Sequence, residues 1–201
     1  METPRFAPEL ETRAYALRFL EQGRTGFDVP HTLAVVHYAT VIAACEGLDI
    51  GVMRTIGYLH DIGYSAQFAN SGPPPGLQAV TDSKAAHMVK GEKLARRFLL
   101  QPEINPRFTP EEADLICQVI GIHDRVEELT GPYEIAFMEA DTLGAIDIDR
   151  VKPSFNRENG IAYIEDHLLG RRLPRFRTRT GLILAKTLVP RFINYFQALK
   201  P

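Results

Sequence analysis

Cysteine is scarce in this chain of 201 residues: Cys45 and Cys117 lie inside helical patterns with no CxxC spacing. The expected state of both is a buried reduced thiol rather than a disulfide. An excess of charge of one sign is also missing. Lys and Arg number 23 against 25 Asp and Glu, a net charge of −2, so no basic surface argues for nucleic acid and no acidic tail for disorder. No apolar run approaches the ~18 residues of a membrane span. The N-terminal METPRFAPELE lacks the basic start and apolar run of a signal peptide, so a cytoplasmic location is expected. No segment alternates with period two, and no internal repeat or low-complexity tract occurs.

What remains is helix. With 45% hydrophobic residues the chain is long enough to bury the core of one domain. Residues 8–22 carry apolar positions at helical spacing. Asp28 is placed to cap a second helix reaching about Cys45, with Val29 and Pro30 in its first turn, and Asp49 to cap a third that stops at Gly63. Residues 65–82, with Pro73-Pro74-Pro75, break every period and read as a long irregular segment that covers or borders a site. Helix resumes near Ser83 and runs to Leu100. Thr109-Pro110-Glu111-Glu112 is a capping box that opens a helix ending near His123. Further helices are predicted at 132–144, 157–169 and 178–199, the last kinked or split by Pro190. The predicted fold is an all-α single-domain bundle, with a core at about 25–145 and C-terminal helices at about 150–201.

Histidine carries the functional signal. Of six His, four fall in an ordered series with two aspartates: His31, the pair His60-Asp61, His87, His123 and Asp141. Imidazole and carboxylate are ligands of borderline and harder divalent metals, and most of these residues sit among apolar neighbours where an unpartnered polar group is costly. Adjacent helical residues diverge by about 100°, so His60 and Asp61 reach one point only at a helix end, where Asp61 can also span two metals. His37 and His167 are expected to have no part in the site. Asp124 reads equally as a partner of a ligating imidazole or a helix-end carboxylate.

The stretch DVPHTLAVVHYATVIAACEGLDIGVMRTIGYLHDIGY resembles the start of an HD-domain metal-dependent phosphohydrolase, and FMEADTLGAIDI resembles the segment that closes its site. AAHMVKGEKLARRFLL and VIGIHD look like the segments that carry two further His in the dinuclear subclass, and the tail RTRTGLILAKTLVPRFINYF is similar to the last helix of the short bacterial members. The resemblance implies a helical bundle of the HD-domain type, with His31, His60, Asp61, His87, His123 and Asp141 as ligands of two divalent ions; in single-metal relatives the positions of His87 and His123 bind substrate or act as acid instead. Manganese, iron, nickel, cobalt, zinc and magnesium all remain open as the metal.

The chemistry that follows is hydrolysis of a small phosphorylated substrate by a metal-activated water, with Asp61 bridging. Lys84 and Lys90 lie three residues either side of His87, and Arg125 two after His123, so each is placed to meet an anion; Lys84 is preferred, then Arg125. Some HD-domain enzymes with these six ligands are di-iron oxygenases, and a non-catalytic ligand-binding domain is the third reading. No stable nucleic-acid partner and no membrane are expected; a homo-oligomer stays open.

Overall fold

A computed structural model describes residues 8–68 and 76–200, without the side chain of Ala66. Among them the regular structure is all helical, with no strand. The helices are α1 (Glu9–Leu20), α2 (Asp28–Glu46), α3 (Ile50–Leu59), α4 (Ser65–Phe68), α5 (Leu77–Leu99), α6 (Pro110–Ile122), α7 (Pro132–Ile146), α8 (Arg157–Ala162) and α9 (Arg179–Ala198). Short 3₁₀ turns occupy Ile62–Tyr64, Asn105–Arg107 and Leu173–Arg175, and α8 continues as a π-wound segment over Tyr163–Arg172. No described helix is long and apolar enough to cross a membrane.

Helix α2 is the central element, packed between α3 and α7, while α5 lies against α6 and the turn after α3. Ile42, Met53, Ile56, Leu59, Phe98, Ile116, Ile120 and Phe137 are fully buried where these helices meet. Close approach of α7 to α2 needs Gly144, where a Cβ would sit 2.9 Å from the backbone nitrogen of Val35. That approach brings Asp141, one turn earlier on α7, toward His31 on α2.

Local signals hold where the capping is local. The Asp49 side chain accepts from the Val52 N–H at 2.9 Å, and Thr109 and Glu112 form the reciprocal capping box. Several expectations are corrected. Asp28 is the first residue of α2 and does not cap it; its carboxylate accepts from the backbone and guanidinium of Arg24, closing the preceding turn. Helix α5 starts at Leu77, not near Ser83, because Val80 buries against Tyr64 and Phe68. Only part of the irregular segment is thus irregular; residues 69–75, including Pro73-Pro74-Pro75, lie outside the described residues. The predicted helix at 157–169 is α-wound only to Ala162. Pro190 does not split α9, since the carbonyl it leaves without a donor belongs to Lys186 on the exposed face. Both thiols are free, but Cys45 is exposed and only Cys117 is buried.

Candidate metal centre

Six side chains converge from α2, α3 and the turn after it, α5, α6 and α7. His31 comes from the first turns of α2. His60 caps the end of α3, and Asp61 follows it into the 3₁₀ turn, so the adjacent pair does converge at a helix end. His87 comes from the middle of α5, His123 from the C-cap of α6 and Asp141 from α7. All six are buried.

Gly63 acts differently from expectation. Helix α3 stops before it, and its backbone does not have positive φ. A Cβ there would lie 2.0 Å from the carbonyl oxygen of His87 and 2.8 Å from the nitrogen of Gly91. Glycine lets the turn carrying His60 and Asp61 press onto α5, which sets the distance from Asp61 to His87.

The donors fall into two groups, His31/His60/Asp141 and Asp61/His87/His123. In the first, the Nε2 atoms of His31 and His60 are 3.4 Å apart, and Asp141 Oδ1 is 3.1 Å from His31 and 3.7 Å from His60. In the second, the Nε2 atoms of His87 and His123 are 3.2 Å apart, with Asp61 Oδ1 at 3.6 and 3.7 Å. Asp61 stands between the groups, because its Oδ2 lies 3.3 Å from His60 and 3.6 Å from His31. One oxygen faces each group.

Whether this arrangement fits divalent ions is decided by the imidazoles. His60 Nδ1 donates to the Gly57 carbonyl at 2.8 Å and His123 Nδ1 to that of Ile120 at 2.9 Å. With the proton fixed on Nδ1, each Nε2 offers a lone pair. His31 and His87 are oriented by stacking, on Phe27 at 5.1 Å and on Tyr64 at 3.9 Å between ring centroids. Two metal–nitrogen bonds of about 2.1 Å at a tetrahedral angle place their nitrogens about 3.4 Å apart, which is what both His pairs show to within a few tenths of an ångström. The residues fit a cation in each group.

Electrostatics agree. Burial and the neighbouring His123 hold His87 down at about 4, so its imidazole is neutral and free to ligate. Burial alone would lower His60 too, but Asp61 and Asp141 outweigh it and lift the group to about 9. The field that favours a proton there equally favours a divalent cation in its place. Asp61 and Asp141 are held below the usual carboxylate range against the opposing effect of burial, Asp61 by His60, His123 and Arg24, Asp141 by Arg172, His31 and His60.

A second layer of charges orients the first. Arg24 donates to Asp61 Oδ2 at 2.8 Å and lies over the Tyr64 ring at 4.1 Å. Arg172 donates to Asp141 Oδ2 at 2.7 Å and to Thr142 Oγ1 at 3.0 Å, and its other nitrogen reaches Asp124. Asp124 Oδ2 approaches His87 at 3.8 Å and His123 at 4.0 Å, and Lys84 Nζ holds its Oδ1 at 3.0 Å. Asp124 directly follows the C-cap of α6 and is held by Lys84 and Arg172, with its carboxylate near both imidazoles but hydrogen-bonded to neither.

His31, Asp61, His123 and Asp141 line a cavity of about 730 Å³, open solvent at its mouth included, with Arg24, Lys84, Arg172 and His167 among its other polar lining. Lys84 is therefore at the site. Arg125 is not: it follows the C-cap of α6 into an exposed turn and pairs with Glu128 at 3.5 Å, because the chain past His123 heads to solvent. Lys90 is exposed and does not line the cavity. His37 is exposed beside Arg150 and does not line the cavity. His167 departs from expectation by lining the cavity. Arg24 had one readable signal, its spacing of four residues from Asp28. Arg172 had none.

An all-helical bundle with His-Asp at the end of a central helix, and with donors converging from its neighbours, defines the HD class of metal-binding domains. Residues 29–151 match the HD domain family, and the chain belongs to it. Ribonuclease Y of Clostridium botulinum is 26% identical over 136 residues, covering 67% of this chain and 20% of that protein. Ribonuclease Y of Campylobacter jejuni is 30% identical over 129 residues, covering 64% and 19%. The chain thus spans about a fifth of the length of these curated relatives. The fold is shared with a crystal structure described as a predicted HD superfamily hydrolase from an uncultured Thermotogales bacterium, at TM-score 0.62 and 20% identity, covering 96% of this chain and 90% of that one.

Proposed function

We propose that the protein is a divalent-metal-dependent phosphohydrolase that cleaves a small phosphate ester. The observation that carries this reading is the pair of three-donor groups with one Asp61 oxygen turned toward each. His31, His60 and Asp141 would hold one ion, and His87, His123 and Asp61 a second, with Asp61 shared. Bound there, a divalent pair supplies a water of lowered pKa and neutralises phosphate oxygens.

The chain's own charges favour an anionic substrate only once cations are held. Asp28, Asp61, Asp124 and Asp141 face Arg24, Lys84 and Arg172, which leaves no net charge while His60 holds a proton and one net negative charge with every imidazole neutral, as ligation requires. Two divalent ions would turn that into three positive charges at the cavity floor. Arg172 occupies Oδ2 of Asp141 and so leaves Oδ1 to the imidazoles. Lys84, partly exposed and tethered among the described residues by Asp124, is the cation best placed to reach a phosphate oxygen. A concave pocket of this size, open at its mouth, is of the kind that takes a small-molecule ester.

The test is phosphate release from nucleoside and sugar phosphates by protein loaded with manganese, iron, nickel, cobalt, zinc or magnesium in turn, with a short RNA in parallel. Metal-dependent release from a monomer, abolished by chelator, supports the reading. Faster cleavage of RNA would move it to a polymer. Dioxygen consumption by iron-loaded protein without phosphate release would replace it with oxygenase chemistry.

A further inference from the structure

One part of the cavity lining, Pro153, Phe155, Tyr163, His167, Arg172 and Phe192, lies wholly beyond the stretch that matches the family, and within it Arg172 bonds the donor Asp141. Its centre is the π-wound segment Tyr163–Arg172. π geometry is rare, is mostly confined to single turns and recurs at functional sites, so ten consecutive residues call for an explanation.

The winding has a direct consequence for what the segment displays. Tyr163, His167 and Arg172 are separated by four and then five residues. At about 4.4 residues per π turn, those three positions fall on one strip. In an α-helix, at about 100° per residue, a residue nine positions on faces the opposite side. All three line the cavity, while Glu165, Asp166 and Leu169 of the same segment are exposed. Only the wider winding lets one short segment place Arg172 on Asp141 and, on the same strip, two rings on the cavity wall.

Those rings form a cluster. Tyr163 lies 5.7 Å from His167 in a stacked arrangement, 5.9 Å from Phe155, and 6.0 Å from Phe192 edge to face. Partial burial, with Lys84, Arg171 and Arg172 nearby, holds His167 below its ordinary pKa, so it presents an uncharged ring. The cavity is thus divided: cations and metal donors at the floor, flat neutral rings on this wall.

We propose that the π-wound segment is the specificity element of this protein, with Tyr163, His167 and Phe155 receiving a flat, uncharged ring in the organic part of a monomeric ester while its phosphate lies over the metal donors. The proposal rests on the phosphohydrolase reading for the role of the ester, but the ring-binding half can be tested without metal or turnover. Adenosine, a flat ring without phosphate, is titrated into the full chain in chelator by calorimetry, with glycerol as the polar control. Adenosine binds and glycerol does not. His167→Ala and Phe155→Ala each weaken adenosine at least tenfold, the ~1.4 kcal/mol expected of one ring contact, and Leu169→Ala on the exposed face leaves it unchanged. In metal-loaded protein His167→Ala lowers kcat/KM for phenyl phosphate relative to glycerol phosphate.

Absence of adenosine binding by folded protein would overturn the proposal, as would equal weakening by Leu169→Ala or an equal loss on both esters. If neither ester is hydrolysed but adenosine binds through His167 and Phe155, the ring wall stands and the phosphohydrolase reading falls.

Discussion

Replacing Gly63 by Ala tests how the two halves of the site are held together. The added Cβ would meet the His87 carbonyl oxygen at 2.0 Å and the Gly91 nitrogen at 2.8 Å, and both are backbone atoms of α5 that no rotamer change can move aside. A comfortable carbon–oxygen contact is about 3.3 Å, so the turn and α5 must part by roughly 1 Å. Overpacking of this kind costs about 1–3 kcal/mol, and with backbone on both sides the upper end is expected. For a chain of this length, that lowers Tm by roughly 6–12 °C. The functional effect should be larger, because metal–ligand distances tolerate only about 0.2 Å. Shifting His87 by ~1 Å from Asp61 removes the second group as a site while His31, His60 and Asp141 keep theirs. Elemental analysis should then find one metal per chain instead of two, alongside the fall in Tm by circular dichroism. Gly47→Ala is the control: its φ of +73° makes alanine strained by about 1 kcal/mol, but its Cβ would meet nothing within 4 Å, so metal content should not change. Wild-type metal content and a Tm within about 2 °C in Gly63→Ala would refute the argument that this contact sets the site.

Other expectations follow from the same geometry. Asp61→Ala should lose most bound metal and nearly all activity while the helical circular dichroism signal persists; full metal content in the purified variant would remove Asp61 from the ligands. His123→Ala should lower metal from two per chain toward one, and an unchanged stoichiometry of one in both His87→Ala and His123→Ala would assign those residues to substrate or proton transfer. Arg125→Ala should leave activity and metal content unchanged, since its side chain is exposed on Glu128, whereas Lys84→Met should slow turnover at least ~10-fold. Burial pushes the Cys117 thiol up to about 11, which leaves it protonated and unreactive near pH 8. Native protein should therefore take up one iodoacetamide, at exposed Cys45, and denatured protein two, by mass spectrometry.

What could be read from the sequence was what depends on near neighbours in the chain. Thr109 and Glu112 meet three residues apart, Asp49 reaches Val52, and the spacing of the His-Asp series carried the family resemblance with its six donors. Failures came where a partner lies far along the chain. Leu77 to Asp82 show no clear period, yet they are helical because Val80 finds Tyr64 and Phe68 on the other side of residues 69–75. Arg125 stands two residues from a proposed ligand, but the direction of the chain after a C-cap decides where a side chain goes, and here it goes to water. Gly63 was read as a helix terminator, whereas its use is a contact with α5, which no pattern within its own helix could show.

Arg172 is the sharpest case. It lies 31 residues from Asp141 and 48 from Asp124, yet it bonds to both, and it does so from a segment whose winding no helical-periodicity argument anticipates. That segment also lies outside the part of the chain that matches the family. The division has a physical basis. Two ions held there would impose their bond lengths on the donors, so the contacts that space them, such as Gly63 on α5 and Gly144 on α2, would leave little room for variation. The wall facing the organic part of a substrate is under no such common constraint and needs only to offer a matching surface. Here the two meet in one residue strip: Arg172 fixes a donor carboxylate at one end, while Tyr163 and His167 shape the cavity at the other. A change in the winding between Tyr163 and Arg172 would therefore disturb both metal affinity and substrate choice, whereas a change to the Phe155 ring alone should disturb only the second.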